Sequence, residues 1–206
     1  SIEDLNAARA KISDLKAGGL GRRLLEKASV RCWVLNDVGP DKERLVGSGP
    51  VDCPEIQHEA LADARHLAHH AAAMMQAFGH QVEIRPPLTG PVESALATFL
   101  DGHEAGTVRI AAGEVTIDVP GDAPRGGRTS HAALLATQHL APGTGFFAGA
   151  SDGQDGQTGD AGAWAWPGDD ASAARHFDAH AYLATKGQTL RIGSTGNNLN
   201  DLWIAF

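Results

Sequence analysis

The sequence has few of the features that mark secreted, membrane-spanning or nucleic-acid-binding proteins. Only two of its 206 residues are cysteine, too few for a disulfide framework, and they lack a metal-ligand spacing. It contains no run of about 18 apolar residues and no signal-peptide core, so we expect a soluble, cytoplasmic protein with no membrane partner. The 17 lysine and arginine residues against 25 acidic ones give a net charge of -8, which argues against nucleic acid as a partner.

What the chain does contain is typical of an α/β protein. A hydrophobic content of 42% is enough for one large domain or two small ones. The amino-terminal part reads as a helix interrupted by "AGGLG", after which strand and helix patterns alternate. Strands are predicted at 30–35 and 80–88, and helices at 58–79 and 90–102. We therefore expect layered, mostly parallel sheets with flanking helices.

The pattern of predicted helices and strands changes near residue 105. Residues 107–121 predict two short strands around a turn at Ala112–Gly113, and 126–141 predict a helix. A second helix is predicted at 170–187. Short strands are predicted at "TGFFAGA", "QTLRIG" and the carboxyl-terminal "DLWIAF". We place a soft domain boundary at this change.

Three loops share one design, in which an apolar strand is followed at once by glycine, acidic and amide residues. They contain "NDVGPD" with "GSGP", "SDGQDGQTGDAGA" and "GSTGNNLNDL". Ligands collect at the carboxyl ends of strands in open α/β sheets, so we expect the three loops to line one cleft. Glycines admit anions to backbone N–H groups, and carboxylates beside an anion fit a bridging Mg²⁺. Any single Gly-Asp loop can instead be an ordinary turn.

Six motifs occur in a fixed order between residues 6 and 202. They are "NAARAKISDLKAGGL", "LNDVGPD" with "GSGPV", "AAGEVTI", "GGRTSHAAL", "SDGQDGQTGDAGA" and "GSTGNNLNDL". In this order they resemble the carboxyl-terminal half of the MOFRL-type glycerate 2-kinases, a family also labelled hydroxypyruvate reductase. The resemblance implies a partial Rossmann-like region at 1–105 and a MOFRL-like α/β domain at 106–206. It also implies phosphoryl transfer from ATP, with Mg²⁺, to the 2-hydroxyl of D-glycerate or a related hydroxy acid.

The resemblance assigns candidate site residues. Arg128 is the candidate to hold a carboxylate or the transferring phosphoryl group, because guanidinium makes bidentate contacts. Lys16 either meets a phosphate or is a solvated helix lysine. Asp152 and Asp155 are the candidate metal ligands, with helix capping or loop bracing as the open alternative. Further candidates for substrate or nucleotide binding are Asp37, Asp41, Ser48, Gly49, Gly127, His131, Asn198 and Asp201. Of these, Asn198 and Asp201 are expected to orient neighbouring loops.

The chain also departs from the family. Thr129, Ser130 and His131 stand where the family has Asn-Gln-Glu. The ten histidines of the chain favour a structural role for His131 over that of an acid, base or metal ligand. The family's amino-terminal half, with its Gly-rich lysine segment, has no counterpart here. We therefore expect the active site to be completed by an amino-terminal half on a second polypeptide or on a part of the gene product absent from this sequence, or the chain to form a homo-oligomer. The alternatives are a diverged, non-catalytic binding or assembly subunit, and an enzyme for another hydroxy acid or a larger alcohol.

A redox role has no support in the sequence. The chain has no G-x-G-x-x-G turn that follows a strand and precedes an acidic residue by about 20 positions. The reductase label of the family therefore predicts nothing for this chain.

Overall fold

The computed structural model of the protein describes residues 8–9, 11–39, 42–121, 123–124 and 126–206. The chain divides into two compact units, Ser1–Asp63 and Ala64–Phe206, and each is described here by itself. The boundary near residue 105 concerns the domains of the family and stays a prediction. None of the helices in the described ranges is long and apolar enough to cross a membrane.

The first unit is built on a two-stranded parallel sheet. Its elements are helix α1 (Gly19–Leu25), strand β1 (Arg31–Asn36), a 3-10 helix (Glu43–Ser48) and strand β2 (Gln57–Asp63). Strand β1 confirms the strand predicted at 30–35. The first residues of the predicted amino-terminal helix lie outside the described residues. Residues 8–9 and 11–12 are helical and 13–18 are not, so the expected interruption ends inside "AGGLG", where α1 begins at Gly19. Gly18 takes φ 79 at this start, and Gly21 packs where a Cβ would lie 2.7 Å from Sγ of Cys53.

The helix predicted at 58–79 is wrong in its first part. Residues Gln57–Asp63 form β2, which pairs in parallel with β1, and the helix α2 spans Ala64–Ala77. Alanine-rich sequence favours a helix locally, but pairing with β1 decides the outcome. Side chains along β2 alternate between exposed and half-buried, as expected for a strand.

The second unit contains a six-stranded mixed sheet with the order β3-β4-β8-β5-β6-β7. The strands are β3 (Gln81–Ile84), β4 (Thr107–Gly113), β5 (Phe146–Ala150), β6 (Gly162–Ala165), β7 (Thr189–Leu190) and β8 (Asp201–Ala205). The helices after α2 are α3 (Val92–Leu100), α4 (Arg128–Ala136), α5 (Ser172–Arg175) and α6 (Ala179–Thr185). The predicted α/β class with flanking helices is confirmed. Among the described residues, β1–β2 and β3–β4 pair in parallel, whereas β4–β8, β5–β8, β5–β6 and β6–β7 pair antiparallel. The sheets are therefore parallel and mixed, and the expectation of mostly parallel pairing is corrected.

Two further element predictions need correction. Residues 107–121 contain the single strand β4 rather than two strands around Ala112–Gly113, because β3 and β8 already occupy both edges of β4. The helix predicted at 170–187 is two short helices, α5 and α6. Phe177 separates them with φ 57, which an α-helix cannot accommodate.

Helices cover both faces of the six-stranded sheet. On one face, Ala68 and Ala72 of α2 pack against Val108, Ile110 and Ala112 of β4 and Ile204 of β8. On the other face, α3, α4 and α6 cover a core in which Phe99, Phe146 and Trp203 meet edge to face, with ring centroids 5.4–5.9 Å apart. Burial of these large rings is the main apolar stabilisation of this layer.

Candidate active site around Arg128

A cavity of about 420 Å³ lies beside the amino-terminal end of α4 in the second unit. One part of its wall is apolar and includes Val115, Ile117, Val119 and Phe177. The other part carries the chemically active side chains Glu114, Arg128, His131 and His180. A concave site with apolar walls and a few convergent polar groups is typical of a small-molecule site.

Arg128, the first residue of α4, is held by two carboxylates. Its Nε and Nη2 donate to Oδ2 and Oδ1 of Asp201 at 2.5 and 3.1 Å, and its Nη1 donates to Oε1 of Glu114 at 2.7 Å. Burial acts to lower the pKa of Arg128, but the two carboxylates outweigh it and raise that pKa, so the guanidinium stays charged. The side chain of Glu114 is 54% exposed, against 2% for Asp201. Glu114 is therefore the partner that a ligand anion can replace.

Asp201 begins β8 and is the buried partner of Arg128. Burial raises the pKa of this carboxyl to about 6, with help from Asp155 and Glu114, although Arg128 acts in the opposite direction. Asp201 was expected to orient neighbouring loops. Its observed contact is with the guanidinium, so it positions Arg128 directly.

Asp155 caps helix α4. Its Oδ1 accepts the N–H of Thr129 at 2.8 Å and its Oδ2 accepts the N–H of Ser130 at 3.0 Å, and the residue is 2% exposed. A carboxylate stabilises the positive end of a helix and satisfies N–H groups that have no partner within the helix. Gly127 makes this approach possible, because a Cβ there would lie 2.0 Å from Cγ of Asp155. The alternative named for Asp155 was capping of the following helix, but these contacts cap α4, which precedes Asp155 in the chain.

Two of the three loops expected to form a cleft meet in the second unit. The main-chain oxygen of Asp152 accepts the N–H of Thr195 at 3.1 Å, and Oγ of Ser151 accepts the N–H of Leu199 at 2.7 Å. Asp152 and Asn198 also brace their own loops, since the Oδ1 of each accepts the N–H two residues further on. The third loop belongs to the first unit.

The contacts of the acidic loop do not form a resident metal site. Both oxygens of Asp155 accept backbone N–H groups, and one oxygen of Asp152 does the same. Across the part of the chain that the structure describes, no group of three or more His, Cys, Asp or Glu residues can hold a metal ion. Ligation of Mg²⁺ by Asp152 and Asp155 stays a prediction that no described contact supports.

In the first unit, the segment that carries Lys16 lies beside the segment that carries Ser48 and Gly49, so three candidate residues are neighbours. The Nζ of Lys16 donates to the main-chain oxygen of Gly47, while the N–H groups of Ala17 and Gly18 donate to the oxygens of Ser48 and Gly49 at 3.2 and 2.7 Å.

The other two candidates of this unit follow β1. Asp37 comes directly after the strand, and Asp41 lies outside the described residues. The sequence analysis missed the neighbouring Asn36, whose buried amide donates to the oxygen of Gly39 at 2.8 Å and to Glu43 at 3.3 Å.

His131 faces the cavity as a neutral ring. Burial lowers its pKa, against the opposing charges of Glu93 and Asp155, so it carries no charge at pH 7. Its ring stacks on Phe177, with centroids 5.2 Å apart and planes at 16°. Phe177 has φ 57, a strained conformation for an aromatic residue, and such strain clusters at functional sites. No signal in the sequence pointed to Phe177, because its neighbours form a helical pattern.

His180 and Asp160 form a second pair that the sequence analysis missed. His180 lines the cavity, and its Nε2 lies 2.9 Å from Oδ2 of Asp160. Oδ1 of Asp160 accepts a hydrogen bond from Nε of Arg191 at 2.7 Å. Burial acts to raise the pKa of Asp160, but hydrogen bonds from His180, Arg191 and Thr189 hold that pKa below its usual value. Asp160 belongs to the conspicuous acidic loop, whereas nothing in the sequence near His180 points to a site.

Comparison with known proteins places the chain among characterised folds. Residues 107–201 match the model of the MOFRL family, and residues 1–82 match a domain of unknown function, DUF4147. The family resemblance expected from the sequence is confirmed by these matches. No curated protein sequence matches the chain.

Two solved structures resemble the whole chain. The crystal structure of glycerate kinase (EC 2.7.1.31) from Thermotoga maritima has a TM-score of 0.83 and 23% identity, with 100% of this chain and 63% of that chain covered. A protein from Pyrococcus horikoshii has a TM-score of 0.77 and 20% identity, with 100% and 62% covered. At this identity the likeness shows the fold, and this chain spans less than two thirds of either protein.

Proposed function

We propose, since residues 107–201 match the MOFRL family and the chain has the fold of glycerate kinase, that it supplies the carboxyl-terminal half of a phosphotransferase active site. The reaction is transfer of a phosphoryl group from ATP to the 2-hydroxyl of D-glycerate or a related hydroxy acid. One observation carries the proposal: Arg128 lines a cavity of about 420 Å³ and is held there by a buried carboxylate.

Arg128 has the chemistry that a hydroxy acid requires. A guanidinium binds a carboxylate or a phosphoryl group through two parallel hydrogen bonds. Asp201 fixes Nε and Nη2, while Nη1 contacts the exposed Glu114. A substrate anion that displaces Glu114 would find the guanidinium already oriented, and phosphoryl transfer depends mainly on such positioning and charge neutralisation.

The described residues do not fit a resident Mg²⁺ ion, and the roles proposed for them do not depend on one. In proteins Mg²⁺ is commonly held by one or two carboxylates together with phosphates and water. Mg²⁺ bound in this way would enter with the nucleotide and neutralise phosphate charge. Of the two predicted ligands, Asp152 has one side-chain oxygen that accepts a backbone N–H, whereas both oxygens of Asp155 do.

The remaining part of the active site belongs to the proposal, whether it lies on a second polypeptide or on a further segment of the same gene product. Parallel sheets are normally covered on both faces, and a two-stranded sheet is marginal alone. In the first unit, the side chains of Trp33, Leu35 and Leu61 are 58%, 40% and 59% exposed on one face of β1–β2. Because the chain spans 63% of the glycerate kinase it matches, we propose that the remaining part of such a kinase covers this face.

Two measurements test the function. Native mass spectrometry of the purified particle shows whether it contains a second polypeptide or another copy of this chain. The particle, or the chain mixed with the missing half, is then assayed for ATP consumption that depends on D-glycerate. We expect Arg128→Ala to lower kcat/KM at least about 100-fold. The kcat/KM of Arg128→Lys should lie between those of the wild type and Arg128→Ala, since lysine keeps the positive charge but cannot make the bidentate contact.

Arg175→Ala is the matched control, because Arg175 is an exposed arginine at the end of α5 that does not line the cavity. Absence of D-glycerate-dependent ATP consumption in the complete particle would refute the proposal. So would an Arg128→Ala variant as active as the control.

A second candidate function is supported by one observation, the engagement of Arg128 by two carboxylates at once. A guanidinium whose charge is already balanced by two carboxylates suits a diverged binding or assembly subunit that no longer transfers phosphate. Retained ligand binding by the complete particle without nucleotide turnover would favour this candidate. Turnover that Arg128→Ala abolishes would exclude it.

A further inference from the structure

Transfer to a hydroxyl group requires a place for the hydroxyl proton. In kinases a positioned base next to the substrate hydroxyl accepts it. Three side chains in the wall of the cavity can act as bases: Glu114, His131 and His180. Their surroundings distinguish them.

Two of the three are poorly suited to the task. Glu114 is committed to Arg128 through Oε1, and replacing it with a substrate anion moves it away from the guanidinium. His131 lies between protein groups, stacked on Phe177, and burial lowers its pKa, which makes it a weak base. In the part of the chain that the structure describes, neither has a carboxylate hydrogen-bonded to it to stabilise a proton taken from a substrate.

His180 has such a carboxylate. Nε2 of His180 lies 2.9 Å from Oδ2 of Asp160, which is 4% exposed. Among the described residues, this hydrogen bond engages Nε2 of His180. Its other ring nitrogen, Nδ1, is left to contact a ligand in the cavity. A carboxylate on one ring nitrogen fixes the tautomer and stabilises the imidazolium that forms when the other nitrogen takes a proton.

We infer that His180 accepts the proton of the substrate hydroxyl and that Asp160 positions it, an inference that rests on the proposed phosphoryl transfer. The hydroxyl O–H bond breaks and its proton passes to Nδ1 of His180. The freed oxygen forms a bond to the γ-phosphorus of ATP, and the electron pair of the broken P–O bond leaves with ADP. His180 is a catalytic residue in this step and Asp160 is a positioning residue.

Asp160 is built to stay ionised throughout. Arg191 and Thr189 hydrogen-bond it in addition to His180, and its pKa lies below the usual value. The charged or titratable groups that share the surroundings of His180 are Asp160 and Arg191 behind it and Glu114, Arg128 and His131 in the cavity wall.

The substrate class follows from the same cavity. Arg128 and His180 line one cavity, so a ligand with an anionic group for the guanidinium and a hydroxyl for the imidazole satisfies both. A 2-hydroxy acid has these two groups on adjacent carbon atoms.

The test compares kcat and KM for ATP and D-glycerate across pH 5 to 9 (roughly the range in which histidine titrates), in the complete, active protein. For His180→Gln we expect kcat to fall about 100-fold with KM little changed. We also expect the wild type to lose activity at acidic pH and this loss to be absent from the variant. Asp160→Asn should lower kcat less and move the acidic limb to lower pH. His176→Gln is the matched control, since His176 is exposed and contacts the main-chain oxygen of Ser172.

The outcomes separate this inference from the function on which it rests. A wild-type protein without D-glycerate-dependent ATP consumption refutes the proposed function and the inference together. An active wild type with a His180→Gln variant of unchanged kcat and pH profile refutes the inference alone, as does an equal loss in His176→Gln. If His180→Gln fails to fold, the pH profile of Asp160→Asn decides, and an unmoved acidic limb overturns the inference.

Discussion

Replacing Asp155 with asparagine tests the hydrogen bonds by which this carboxylate caps helix α4, the helix that begins at Arg128. The substitution changes one carboxylate oxygen into an amide N–H₂ group and leaves the size of the side chain the same. In the native protein the two oxygens accept the N–H groups of Thr129 and Ser130 at 2.8 and 3.0 Å. One of these N–H groups would then face a donor instead of an acceptor.

The expected loss can be worked from these two hydrogen bonds. A hydrogen bond to a charged acceptor contributes about 1.5–3 kcal/mol, and loss of negative charge at a helix amino terminus adds about 0.5–2 kcal/mol. Because Asp155 is 2% exposed, water does not replace the lost acceptor. We expect Asp155→Asn to lower the free energy of unfolding by about 3 kcal/mol, which shifts Tm by roughly 6–12 °C in a unit of this size.

Urea denaturation and amide hydrogen exchange measure this effect. The amides of Thr129 and Ser130 should lose protection in Asp155→Asn. Asp152→Asn is the control, since Oδ1 of Asp152 accepts a single local N–H group and its loss should remove about 1 kcal/mol or less. Equal stability of the two variants would refute the capping role. A loss in Asp155→Asn that occurs only with Mg²⁺ present would assign Asp155 to metal binding instead.

Two further predictions concern the neighbours of Arg128. Gly127→Ala places a Cβ 2.0 Å from Cγ of Asp155, so the turn must move; we expect a loss of at least about 2 kcal/mol in denaturation and about tenfold lower activity, and wild-type values would contradict this. Burial raises the pKa of Asp201 from the usual 3.8 to about 6, so the folded protein holds this proton where the unfolded chain has released it. Stability should therefore fall by up to about 3 kcal/mol as pH rises from about 4 to 6, and Asp201→Asn should flatten this slope in urea titrations. An identical slope in the variant would contradict the raised pKa.

The sequence predicted those elements whose signals are local. Strand β1 and helices α3 and α4 combine apolar runs with turn residues at their ends, and all three are present. The errors occur where a distant partner decides. Residues 57–63 become a strand because β1 lies beside them, and β4 remains a single strand because β3 and β8 flank it.

The candidate site shows the same division. Arg128 and Gly127 stand in one short motif and were accessible to sequence reasoning. Asp201 was named, but its contact with an arginine 73 positions away was not predictable from either motif. His180 and Asp160 are 20 residues apart and meet only because the acidic loop folds back on α6. The turn at Phe177 was hidden, since its strained backbone has no counterpart in side-chain periodicity.

The position of β8 has a consequence for how the second unit assembles. It follows every other strand in the chain, yet it lies at the centre of the sheet, between β4 and β5. During synthesis, β4 and β5 therefore emerge long before the strand that joins them, and a chain cut before Asp201 loses the middle of its sheet rather than an edge. Pairings of this sequence separation form slowly and leave apolar surface open to aggregation. Because Asp201 belongs to β8, Arg128 reaches its final position only in the last stage of folding, and a partly made chain has no competent site.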